Sequence, residues 1–111
     1  MISGASLSVS DDRFEAWVCG DRQLMAGRPD TLSGLPIGVK DVIATREYPT
    51  RCGTDLPQAV VRVLLEKVEA HCVSELKRAG ALVAGKTVTA ELATYQPGNT
   101  VNPLSVGRSP G

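Results

Sequence analysis

The sequence predicts an α/β fold built on a βαβ unit, two parallel strands joined by a helical crossover. Three observations carry that expectation. Residues 36–43 (Pro-Ile-Gly-Val-Lys-Asp-Val-Ile) are a mainly apolar, β-branched run between turn-rich stretches, the pattern of a buried strand. Between Val61 and Ala79 apolar residues recur at steps of three and four, as on one face of a helix. Ala81-Leu82-Val83-Ala84 follows as a second short apolar run. A strand, a crossover helix and a strand pack side by side with the strands parallel.

Residues 1–12 are small and polar and are expected to be disordered. Phe14, Trp17 and Val18 stand at helix-compatible spacing, ended by Gly20. Residues 27–34 are rich in Gly, Pro, Asp and Ser, a turn that leads into the first strand. Residues 45–54, with Pro49 and Gly53, read as a loop. Pro57 suits the first turn of a helix. The stripe Val61, Leu64, Leu65, Val68, Cys72, Leu76 and Ala79 fits one long helix or two shorter ones broken near Glu69. Lys77 and Arg78 favour the negative end of its dipole, and Gly80 is placed for a C-cap. After the strand at 81–85, Thr87 or Thr89 can cap a short helix through Glu91, Leu92 and Tyr95. Residues 97–111 read as a long loop.

Composition narrows the function classes. The chain has 111 residues, enough for one domain with a modest core. With 42% hydrophobic and 22% charged residues it has the balance of a globular protein. A formal net charge of zero gives no electrostatic case for nucleic acid or an anionic membrane. Four aromatics (Phe14, Trp17, Tyr48, Tyr95) are too few for a base-stacking surface. Cys19, Cys52 and Cys72 are an odd, widely spaced set without a CxxC pair. They read as free thiols of a reducing, cytoplasmic setting rather than a disulfide or zinc framework. No basic residue precedes Arg13 and no long apolar core follows the start, so no signal peptide is expected. No apolar run approaches the roughly 20 residues of a membrane span.

Candidate chemistries differ in how well their context fits. Gly80 to Thr87 matches the phosphate-loop pattern GxxxxGK[ST] letter for letter. That loop needs free, upward-facing amides between a strand and a helix. Here a helical segment precedes it and the middle positions are strand-like aliphatics, so Lys86 reads as a strand end. A thiol nucleophile fares poorly. His71 and Cys72 are adjacent and point apart on a helix, and Cys72 belongs to the apolar stripe, hence to the expected core. With one histidine and no clustered carboxylates, no metal site and no cofactor are expected. Lys40 remains, a charge inside an apolar strand. A lysine is a base only when neutral, and burial favours that form. Parallel strands are normally covered on both faces, which makes a buried Lys40 plausible; a strand-end lysine in solvent is the plainer reading. Alternation puts Gly38, Lys40 and Val42 on one face and Asp41 on the other, where Asp41 would need backbone donors or a cation.

Several stretches resemble one family. Leu32-Ser-Gly-Leu-Pro-Ile-Gly-Val-Lys-Asp41, Glu69-Ala70 through Ser74-Glu-Leu-Lys-Arg-Ala-Gly-Ala81, Gly85-Lys86-Thr87 with Glu91-Leu92-Ala93, and Pro97-Gly-Asn-Thr-Val-Asn-Pro103 with Ser109-Pro-Gly111 resemble, in order, segments of the amidase signature family. The resemblance runs from about Phe14 to Gly111. It implies a βαβ fragment of a larger mixed sheet flanked by helices, with 97–111 leading into a Gly/Ser-rich signature. It implies a Ser–Ser–Lys triad that hydrolyses a carboxylic amide through an acyl-serine intermediate, with Lys40 as general base. It places Ala93 and Thr94 near the substrate. Ser105 and Ser109 match neither triad serine, so residues 1–111 are expected to be a partial domain, inactive alone. The expected partner is a small-molecule amide. Open sheet edges leave homodimerisation or aggregation open. Two alternatives stand beside this reading: the amidase-like subunit of a tRNA-dependent amidotransferase, and a non-catalytic remnant or small binding module.

Overall fold

The computed structural model describes residues 12–27, 29, 31–64 and 68–110. In chain order the elements are strand β1 (Trp17–Gly20), the short helix α1 (Arg22–Met25), strand β2 (Pro36–Lys40), helices α2 (Gln58–Leu64) and α3 (His71–Arg78), strand β3 (Leu82–Thr87) and a 3₁₀ turn (Glu91–Ala93). The three strands form a mixed sheet in the order β1-β3-β2. β2 and β3 are parallel, with Pro36 opposite Leu82 and Lys40 opposite Thr87. β1 runs antiparallel on the other side of β3. The expected βαβ unit is therefore present, with β3 in the centre of the sheet.

β1 replaces the helix that the spacing of Phe14, Trp17 and Val18 suggested. The unpaired edge of β3 captures this segment, and an aromatic and a β-branched residue suit a pleated, half-buried surface. The strand expected over 36–43 ends at Lys40, where Asp41 turns the chain back: its N–H donates to Thr87 O at 2.9 Å, and Ile43 N donates to Lys40 O at 2.9 Å. Residues 1–11 of the expected disordered start lie outside the described residues. Asp12 is tied down, accepting from Ala16 N and Trp17 N at 2.9 Å each.

The helical stretch is two helices. Its apolar stripe does not pack as one face: Val61 is buried, but Leu64, Val68, Leu76 and Cys72 are exposed; Leu65 lies outside the described residues. The break resets the helical phase, so Val73, which the single stripe left out, becomes the residue that α3 buries. Cys72 is correspondingly surface and not core. α3 lacks a side-chain N-cap and stops at the Ala79 C-cap. Gly80 follows at φ +105° with its Cα side against Ser33, where a Cβ would come within 2.8 Å of the Ser33 Cα. Glycine is the residue that reaches such a conformation without a steric penalty.

The sheet has two unlike faces. Paired residues share a face. Val39, Val83 and Val73 form the core on the face covered by α3, with Ile37, Ile43, Tyr48 and Ala70 packed against them. On the opposite face, the Trp17 indole lies across Gly38 and Gly85. A Cβ on Gly38 would meet the indole at 2.7 Å, and one on Gly85 at 3.0 Å. Among the described residues, no helix is long and apolar enough to cross a membrane.

Candidate active site

The site starts from the last residue of β2. Lys40 pairs with Thr87, and Thr87 with Trp17, so these three side chains form one row on the indole face. Lys40 is exposed. Of the two readings that the sequence left open, the structure shows the strand-end lysine in solvent: β2 is an edge of the described sheet, and α3 covers only the other face. The alternation itself holds. Gly38 and Lys40 share a face, although the room beside Gly38 is filled by Trp17 and Thr87. Lys40 instead borders a cavity of about 670 Å³, together with Thr87, Thr89, Ala93, Gly98 and Ser109. This cleft lies at the carboxyl ends of the parallel pair, the usual location of ligands in open α/β sheets.

Of the other residues singled out, Ala93 lines the same cavity and Thr94 does not. The capping expected from Thr87 or Thr89 is not made. The 3₁₀ turn has Ala90 at its N-cap with no side-chain bond, because the segment is held by Leu92 N donating to Cys52 O at 2.7 Å and Glu91 N to Gln96 O at 2.7 Å. Leu92 (φ 48°) and Ala93 (φ 68°) are both left-handed, which costs a non-glycine residue roughly 1–2 kcal/mol. Of this segment, Ala90 and Ala93 line the cleft.

The buried lysine is Lys86. It is 0% exposed, on the α3 face of the central strand. Its ammonium donates to Ile43 O at 2.8 Å and Thr50 Oγ1 at 2.6 Å, and lies 3.6 Å from Asp41 Oδ1. Asp41, 1% exposed, also accepts from Arg51 N at 3.2 Å. The partner that alternation demanded for Asp41 is thus a cation and a backbone donor. Burial pushes the Lys86 pKa down, and the Asp41 carboxylate offsets part of that. Sequence reasoning left the burial of Lys40 open and read Lys86 as a strand end. The signal was available: Lys86 is the one charge inside a second apolar strand, and Asp41 lacked a counter-charge.

The same geometry disposes of the phosphate-loop match. The four residues before Lys86 belong to β3, so their amides serve the sheet. Thiol chemistry has no support either. His71 and Cys72 are exposed at the start of α3, and burial raises the thiol pKa of Cys19 and Cys52, away from the thiolate.

The mixed sheet thus presents an amine at the mouth of a cleft, beside a strained turn. The family model for Amidase matches residues 16–111, and the chain belongs to the amidase family. It is 37% identical over 86 residues to a glutamyl-tRNA(Gln) amidotransferase subunit of Rhodopirellula baltica, covering 72% of this chain and 16% of that protein. It is 33% identical over 109 residues to the protein of the same name from Methanospirillum hungatei, covering 91% of this chain and 24% of that one. A crystal structure of an amidase superposes with a TM-score of 0.67 at 28% identity, over 89% of this chain and 26% of the other. Against these two relatives the chain spans between 16% and 24% of their length.

Proposed function

We propose that this chain is the lysine-bearing part of a Ser–Ser–Lys amidase and that Lys40 is its general base. The observation that carries the reading is the placement of Lys40: an exposed amine at the end of a hydrogen-bonded strand, bordering a cleft of about 670 Å³. In this scheme Lys40 takes the proton of a bridging serine, which takes that of the nucleophilic serine. The nucleophile's oxygen adds to the amide carbon, the proton passes to the departing nitrogen, and water releases the acid from the acyl-serine. On this reading neither Ser105 nor Ser109 is one of the two triad serines, and both triad serines lie outside residues 1–111. Ala93 shapes the wall against which a small amide rests.

The test is turnover by the full-length chain encoded by the reading frame that carries these residues. Lys40→Ala is expected to lower kcat by about 10³-fold or more with KM little changed, as for loss of one member of a catalytic unit. Undiminished kcat in Lys40→Ala overturns the assignment. Residues 1–111 expressed alone are expected to show no amide hydrolysis.

A second reading has its own support. The curated relatives from Rhodopirellula baltica and Methanospirillum hungatei are both named as a subunit of glutamyl-tRNA(Gln) amidotransferase. On that reading the amidase chemistry releases ammonia from glutamine for a partner protein. Glutamine hydrolysis that depends on a co-expressed partner would favour it, and partner-independent turnover of simple amides would favour the first.

A further inference from the structure

Lys86 has no place in the triad scheme, yet it is the most completely enclosed charge among the described residues. Its three partners all lie in the segment after Lys40: Asp41 by ion pair, Ile43 by its carbonyl, Thr50 by its hydroxyl. Thr50 Oγ1 in turn donates to Ile43 O at 3.4 Å. Asp41 is held at every polar group. Its N–H donates to Thr87 O, its carbonyl accepts from Cys52 N at 2.9 Å, and its carboxylate takes Arg51 N and Lys86. Lys40 is thus flanked by a clamped residue, and its own carbonyl is bonded to Ile43 N, whose residue Lys86 also holds.

We infer that Lys86 is a positioning residue: from the opposite face of the sheet, it fixes the turn at 41–50 and thereby the point from which the Lys40 side chain enters the cleft. The inference rests on the reading of Lys40 as base. The physical case is one of placement. The last residue of an edge strand has a sheet bond on one side only, so its direction depends on how the next residues are anchored. A reacting group displaced by about 1 Å can lose on the order of 10²-fold in rate. Lys86 is the donor from rigid β3 that reaches three residues of that turn at once. An apolar residue there would leave the Asp41 carboxylate buried beside a single backbone donor.

Variants of the full-length amidase chain test this, each characterised by kcat, KM and melting temperature. Lys86→Met alone leaves a buried carboxylate unpaired and lowers the melting temperature. Lys86→Met with Asp41→Asn removes both charges, and its melting temperature recovers because a neutral pair has no such desolvation cost. The ties from β3 to Ile43 and Thr50 are still missing in the double variant. Its kcat is therefore expected to stay down by about 10- to 100-fold, with KM within about twofold. Recovery of kcat together with the melting temperature overturns the inference, since the pair would then serve the fold alone. Lys40→Ala, measured alongside, separates the two readings. An active Lys40→Ala removes the base itself. An inactive Lys40→Ala beside Lys86 variants of normal kcat removes only the positioning role.

Discussion

Tyr48 shows how single side chains join the loop to the core. It packs against the valine cluster, and its hydroxyl donates to Ala84 O at 3.2 Å. Burial, reinforced by Cys19, Asp21 and Glu47, pushes its pKa up to about 12. The folded state therefore prefers the neutral phenol more than the unfolded state does. This contribution to stability is complete below the unfolded value of about 10 and is lost as pH rises toward 12. Denaturation midpoints recorded across that window should fall, and Tyr48→Phe should remove part of the fall. Glu69 works in the opposite sense. Burial raises its pKa, but the Lys77 ammonium at 3.0 Å, the Arg46 N–H and the Ser74 hydroxyl outweigh that and leave it lowered. Its stabilisation is present above about pH 4.3 and is lost on acidification. At this scale Lys40 and Asp41 were legible from the sequence, because strand alternation assigns them to opposite faces. Lys86 was not. A local pattern match disguised a charge whose hydrogen-bond partners lie 36 and 43 positions away in the chain.

β3 is the element on which the others depend. It pairs with β1 and β2, carries Lys86 and Thr87 on its two faces, and offers Gly85 where strand and indole come closest. Gly85 bears no side chain because a Cβ there would collide with Cys19 O and lie 2.7 Å from the Gly20 Cα. Both obstacles are backbone, which cannot rotate away. Gly85→Ala should therefore cost about 1–3 kcal/mol, the range of overpacking, in urea denaturation. An unchanged midpoint would mean that β1 does not seat against β3. The parallel pair and its crossover were readable because their apolar runs are long and bounded by turns. β1 was not, since four residues with a helical spacing become a strand only when an antiparallel partner is offered. The break between α2 and α3 was left open by a stripe that satisfies either arrangement.

At the scale of the described residues, the three strands form a small sheet with exposed apolar side chains around it. Val63, Val68, Leu104 and Val106 are each more than two-thirds exposed, and among the described residues β1 and β2 are both edges. Isolated apolar residues are ordinary on a surface, but open edges recruit other strands. Residues 1–111 alone are expected to self-associate, with scattering that rises with concentration. A monodisperse monomer at high concentration would favour the small-module alternative. At this scale the family was legible in the order of its segments. The shape of the cleft was not, because its lining takes in Ala93, whose left-handed backbone no residue-type preference predicts.

The two lysines also differ as chemical targets. An amine-selective acylating reagent, added to the folded protein, meets Lys40 in open solvent, whereas Lys86 is sealed among oxygen acceptors behind the sheet. Peptide mapping after brief labelling would find the tag on Lys40 first, and on Lys86 only after unfolding. A covalent probe for the cleft therefore has a built-in reporter. Its selectivity within one molecule shows whether the protein it reached was folded.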